Sequence, residues 1–249
     1  MVALWVVVMA VGLIGMIVCS KKQKSNPAMQ PVAVGLFLVV LVGAIMLLKT
    51  MNIFGGTNAS ILNNEVAFAA SRGYQAGKFV SGIANGKKVV LIATPDYTNG
   101  PIGKAIADAV KKGLGGELVI DCFELPADYD NSGMPISELF KAKDMDALVA
   151  KHADAGAFIS TLGLPTNAGR MALLKAPADK RPAIFLLDTG AGNFPLAKAI
   201  KKGDIAGVIT SAPNAKYDVK ACGDMDKDFA VRYILVDKNN VDEHKNRVN

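Results

Sequence analysis

Two uninterrupted apolar runs at the start of the chain restrict its fold more than any other feature. Residues 2–18 and 31–48 contain no charged side chain, and a short segment holding Lys21, Lys22 and Lys24 separates them. A helix needs about 20 apolar residues to cross the hydrocarbon of a bilayer, and backbone in lipid must satisfy its own hydrogen bonds. The runs therefore read as a two-helix transmembrane hairpin, with helices over about 2–19 and 31–48 inside a segment 1–52. Basic residues in short loops mark the cytoplasmic side. Apart from the loop lysines, only Lys49 and the terminal amine are positive here, so both termini are expected outside and the loop inside. A cleaved signal peptide fits less well, because residues 1–5 carry no basic side chain and no small-residue cleavage site follows. Lipidation at Cys19 fits poorly too, since Met16-Ile17-Val18 precede it. The expected location is an inner membrane crossed twice, N-out/C-out, with the remaining chain facing the periplasm or exterior.

The formal net charge of +6 suggests a nucleic-acid partner until it is divided along the chain. Residues 1–52 hold four lysines and no acid, which leaves 24 basic against 22 acidic residues in the rest. That balance lacks the basic footprint of a phosphate binder, so no nucleic acid is expected. Cys19, Cys122 and Cys222 do not form a disulfide framework, although an oxidising compartment permits a Cys122–Cys222 bridge. His152 and His244 have no partners at metal-ligand spacing, and no cofactor or metal is expected.

Residues 53–57 read as a linker and 58–249 as an α/β domain. A helix is expected over 58–84, with Leu62, Val66, Ala69, Ala76, Val80 and Ile83 on one side and Gly73 and Gly77 admitting a close neighbour. Short apolar runs at 88–94, 117–123, 157–162, 183–187, 205–210 and 231–236 then alternate with helical segments at 101–114, 144–155, 167–175 and 195–202. Continuous apolar strands alternating with helices predict a doubly wound parallel sheet of about six strands, a Rossmann-like three-layer sandwich. Ligands of such sheets sit beyond the carboxyl ends of the strands. Asp96, Asn99, Thr166, Asn167, Asp188 and Ser211 follow strand ends and are the candidate ligand-binding residues.

Catalytic signatures are missing. Gly190-Ala191-Gly192 lacks the third glycine of a dinucleotide fingerprint, and no P-loop or GxSxG occurs. Asp188-Thr189-Gly190 repeats an aspartic-protease tripeptide, but it occurs once, and that chemistry needs two carboxylates sharing a proton. Asp128-Tyr129-Asp130 offers oxygens to calcium, yet a solvated loop explains it as well. No nucleophile–base pair is visible, so no catalytic residue is named and no enzyme is expected.

Gly73-Tyr74-Gln75-Ala76-Gly77 followed by Gly86-Lys87-Lys88-Val89-Val90-Leu91-Ile92 resembles the entry to the C-terminal lobe of type I periplasmic (solute-) binding proteins. Asp188-Thr189-Gly190 with 199–209, and 234–242, resemble later passages of the same lobe. The resemblance implies solute binding between lobes, here with one lobe only, and Asp188 is the position that carries over. Thr161-Leu162-Gly163 stands where the family often has Asn-Asp, and Ser211 where sugar binders have a longer Gln. Three functions stay open. The first is a membrane-anchored extracytoplasmic solute-binding or sensing domain, partnered by the bilayer and a small polar solute. The second is a non-enzymatic accessory or scaffold subunit with a membrane-protein partner; a homodimer belongs to the first, where two copies pair their lobes into a cleft. The third is a hydrolase. The resemblance puts the first ahead.

Overall fold

The computed structural model describes residues 2–22, 29–50, 56–125, 136–177, 180–188 and 194–248. The loop lysine Lys24, the Asp128-Tyr129-Asp130 stretch and Gly190-Ala191-Gly192 lie outside the described residues. Two compact units are present, Met1–Asn63 and Asn64–Asn249.

In the first unit, α1 (Val2–Lys22) and α2 (Met29–Thr50) pack against each other. A Cβ on Gly12 would lie 2.6 Å from Cγ2 of Val40, so the missing side chain lets the helices approach. Both helices are long and apolar enough to cross a membrane. Only 11% of the Trp5–Lys22 window and 6% of the Met29–Leu48 window is buried, whereas a helix in a protein core would be mostly covered. Val11, Ile14 and Val34 point outward. Apolar surface of this extent is costly in water and stable in lipid.

The second unit is built on a six-stranded sheet in the order β2-β1-β3-β4-β5-β6. The strands are β1 (Val89–Ala93), β2 (Leu118–Cys122), β3 (Ala157–Ser160), β4 (Ala183–Leu186), β5 (Gly207–Ser211) and β6 (Tyr233–Asp237). Every residue of β1 and β3 is buried, as strands covered on both faces must be. β1 to β5 are parallel. β6 departs from the expected parallel sheet: Tyr233 pairs with Ser211 and Asp237 with Gly207, so it runs antiparallel. The chain leaves β5 at the carboxyl edge, and the helix that follows, Met225–Arg232, leads directly into Tyr233. Without a crossover to the far edge, the last strand can only run back.

One face carries α3 (Gly56–Ser81) and α4 (Pro101–Leu114) over Val89, Leu91, Ile159, Phe185 and Ile209. The other carries Phe140, just after the short α5 (Ile136–Leu139), with α6 (Ala142–Lys151), α7 (Leu196–Lys202) and the terminal helix over Val90, Ile92, Phe158, Leu186 and Val208. The terminal helix is α9 (Lys245–Val248), and Met225–Arg232 is α8. The close neighbour expected for Gly77 is α4, because a Cβ there would fall 2.2 Å from the Val110 carbonyl oxygen. α4 begins with Pro101 in its first turn and ends on Gly115, whose φ of 62° suits a left-handed cap. Gly203 ends α7 in the same way, at φ 77°.

The helix expected over 167–175 is instead two short 3-10 turns, Ala168–Arg170 and Leu173–Lys175. The cause is local. The Asp146 carboxylate accepts hydrogen bonds from the amides of Ala172 (2.9 Å) and Leu173 (3.2 Å), which a continuous helix would need for its own ladder.

Candidate functional site at the carboxyl edge

The order 2-1-3-4-5-6 places a topological switch between β1 and β3, and the chain leaves both strands at the same edge. After β1 comes the 3-10 turn Pro95–Tyr97, closed by the Tyr97 amide donating to the Thr94 carbonyl at 3.0 Å. After β3, the Thr161 hydroxyl donates to the Ile92 carbonyl (3.0 Å) and the Ser160 hydroxyl to the Gly163 carbonyl (2.7 Å). Those hydroxyls hold the turn together. After β4, Asp188 is exposed at the edge. At the end of β5, the Ser211 hydroxyl lies 3.0 Å from the Tyr217 hydroxyl.

The six expected residues occupy different settings. Asp96 lies in the 3-10 turn, and its side chain is outside the description. Asn99 and Thr166 are exposed. Asn167 Oδ1 accepts from the Ala142 amide at 2.7 Å and so helps start α6. Of the six, Asp188 is the one whose charge acts on a further group of this edge, the Tyr97 phenol.

That phenol belongs to a cluster absent from the expected set. Tyr97 is packed against the α3-side core together with Tyr233, the first residue of β6. Burial pushes its pKa up to about 12; the Arg72 guanidinium acts in the opposite direction, and Asp188 adds to the rise. Tyr97 therefore stays a neutral hydroxyl donor at physiological pH. Its oxygen is buried and has no hydrogen-bond partner among the described residues. Arg72, from α3, places its guanidinium carbon 5.6 Å from the centre of the Tyr233 ring. Its Nε is likewise buried without a partner among the described residues. Buried polar groups left without partners are rare in folded proteins and cost about 1–3 kcal/mol each. Two of them lie on the elements that flank this edge, α3 and the turn after β1. The signal available in the sequence was Arg72 itself, which falls between Ala69 and Ala76 on the small-residue side of α3.

Three other buried or partly buried charges have ionic or amide partners, although Arg232 Nε is itself without one among the described residues. Arg232, fully buried, donates from Nη1 to both oxygens of Glu65 (2.8 and 2.7 Å) and stacks 3.5 Å over the Phe68 ring. Asp228, also buried, accepts from the amides of Cys222 and Gly223. Asp121 on the edge strand β2 meets His152 Nε2 at 2.8 Å and Lys151 Nζ at 2.9 Å. Burial acts to raise the Asp121 pKa, but the hydrogen bonds from Lys151 and His152 outweigh it and hold it below the ordinary value of 3.8. A cavity of about 420 Å³ lies at the opposite, amino edge of the sheet, beside Asn85, Lys87, Lys180 and Asp204. Arg181 at that edge is paired with Asp204 at 2.6 Å. Cys122 and Cys222 are free thiols, Cys122 half-buried in β2 and Cys222 exposed.

No protein-family model matches the chain, and no curated protein matches it. Solved structures with a similar fold include a glucose-galactose binding protein from Geobacillus stearothermophilus, 15% identical over 69% of this chain and 61% of that one, with a TM-score of 0.45. A carbohydrate transporter solute binding protein from Agrobacterium radiobacter, in complex with D-arabinose, is 17% identical over 71% and 63%, TM-score 0.44. An ABC transporter solute binding protein from Bradyrhizobium sp. BTAi1, with bound bis-tris, is 9% identical over 70% and 52%, TM-score 0.45. The chain spans 52–63% of the length of these proteins. The α/β fold rests on the sheet order itself rather than on likenesses of this depth.

Proposed function

We propose that the chain is a membrane-anchored, extracytoplasmic solute-binding or sensing domain. In this reading residues 1–52 form the transmembrane hairpin, 53–57 a linker and 58–249 the α/β domain, in an inner membrane with both termini outside. A small polar solute sits on the carboxyl edge, where Asp96, Asn99, Thr166, Asn167, Asp188 and Ser211 follow the strand ends. One observation carries the reading: Arg72 and Tyr97 each bring a buried, unpartnered polar atom to the edge where Asp188 emerges. No catalytic residue is assigned.

The test is a thermal-shift screen of the full-length protein in mild detergent against sugars, amino acids and nucleosides. At least one class should raise the melting temperature at millimolar concentration. Asp188→Ala should weaken that binding by about 1–3 kcal/mol, the usual cost of a lost hydrogen bond to a charged group. If no class binds, the accessory-subunit reading takes its place. For orientation, a version whose only cysteine replaces Ser25 should resist an impermeant thiol reagent in intact cells.

A further inference from the structure

Arg72 and Tyr97 narrow the chemistry of the solute. The inference rests on the solute-binding reading of the carboxyl edge and goes beyond it, because neither residue follows from the resemblance to binding proteins.

The fold treats its arginines unequally. Arg232 holds Glu65 through two bonds, and Arg181 holds Asp204. Among the described residues no carboxylate lies within ion-pair distance of Arg72. Its guanidinium is nonetheless held in place, half-buried and facing the Tyr233 ring at 5.6 Å. A guanidinium taken partly out of water without a counter-charge is unfavourable, unless something else brings the charge. The Tyr97 hydroxyl, buried and unpartnered, is a second donor in the same region.

We propose that Arg72 and Tyr97 form an anion-binding subsite, and that the solute is a small carboxylic acid bound through its carboxylate. A planar fork of N–H donors matches two carboxylate oxygens, and a neutral phenol adds one further donor. A monoanion fits better than a dianionic phosphate, because Arg72 supplies one positive charge and the Tyr97 phenol is neutral. The class is therefore a small monocarboxylic acid rather than a neutral sugar.

The test measures binding by titration calorimetry on the full-length protein in detergent. The probes are L-lactate, L-serine, D-ribose, D-glucose and inorganic phosphate. L-lactate or L-serine should bind in preference to the others. Arg72→Gln should weaken that binding by about ten- to a hundredfold, the effect of losing hydrogen bonds to a charged group. Arg72→Lys should recover only part of it, and Tyr97→Phe should lose less than Arg72→Gln. The melting temperature of each variant without ligand reports whether it is folded, and Tyr97→Phe keeps the test open should Arg72→Gln fail to fold. Binding of ribose or glucose that depends on Asp188 but not on Arg72 would overturn the carboxylate assignment and leave the solute-binding reading intact. Preferential binding of phosphate would overturn it too. Binding of none of the probes, nor of any compound in the wider screen, would remove both.

Discussion

Arg232 and Arg72 lie on the same side of the sheet, and the fold handles them in opposite ways. Each stacks on an aromatic ring, and each has a buried Nε without a partner. Arg232 also has a carboxylate in two-pronged contact, from Glu65 on α3. Asn64, one residue earlier, grips the same neighbourhood, donating to the Val219 carbonyl and accepting from the Ala221 amide. Together they pin the irregular segment before α8 against α3. Arg72, also on α3, makes no such link among the described residues. The difference separates a charge paired with a carboxylate from one that, among the described residues, meets only an aromatic ring.

The largest effect should come from breaking the closed charge. Glu65→Ala leaves a fully buried guanidinium uncompensated. The cost should be about 3 kcal/mol, near the lower end of the range for a broken buried pair, since Glu65 keeps 41% of its side chain in solvent. The melting temperature should fall by about 6–12 °C. An unchanged melt would show that Arg232 does not depend on Glu65, and the contrast with Arg72 would disappear.

A smaller loss is expected for Gly77→Ala, which puts a methyl group 2.2 Å from the Val110 carbonyl oxygen. Overpacking of this kind costs about 1–3 kcal/mol. Because α3 carries both Glu65 and Arg72, displacing it from α4 should also weaken solute binding. Lost stability with unchanged binding would show that the carboxyl edge does not need α3 in register.

The smallest effect should come from a matched charge remote from both arginines. The Asp121 carboxyl is held below 3.8 in the folded state, so its stabilisation is full above that value and is lost as pH falls through the depressed folded pKa. Asp121→Asn should lower the melting temperature by about 2–4 °C at neutral pH, and the gap should close in strongly acidic buffer. A gap that persists there would mean that packing rather than charge sets the contribution of Asp121.

These contrasts were only partly legible in the amino-acid sequence. The strand–helix alternation was, because β1, β3 and β4 are continuous apolar runs whose burial requires cover on both faces. α4 runs over Pro101–Leu114 as the periodicity indicates, because Pro101 and Gly115 mark its ends chemically. The direction of β6 was not legible, since an apolar run looks the same read parallel or antiparallel; the choice lies in where α8 leaves the chain. Nor were the two 3-10 turns, which depend on the Asp146 carboxylate reaching amides 26 and 27 residues away. At the carboxyl edge, looking after strand ends finds Asp188 but cannot find Arg72. That residue arrives from a helix preceding the first strand, and its neighbour Tyr233 from the last one.

The central claim is that Arg72 is held for a ligand and not for the fold. Chemical denaturation of ligand-free Arg72→Gln measures this directly. Losing the contact with Tyr233 removes about 0.5–1 kcal/mol, while relief of an unpaired, half-buried charge offsets it. Stability should therefore stay within about 1 kcal/mol of the wild type. A loss of about 3 kcal/mol, comparable to that of Glu65→Ala, would contradict the claim and make Arg72 a second structural arginine.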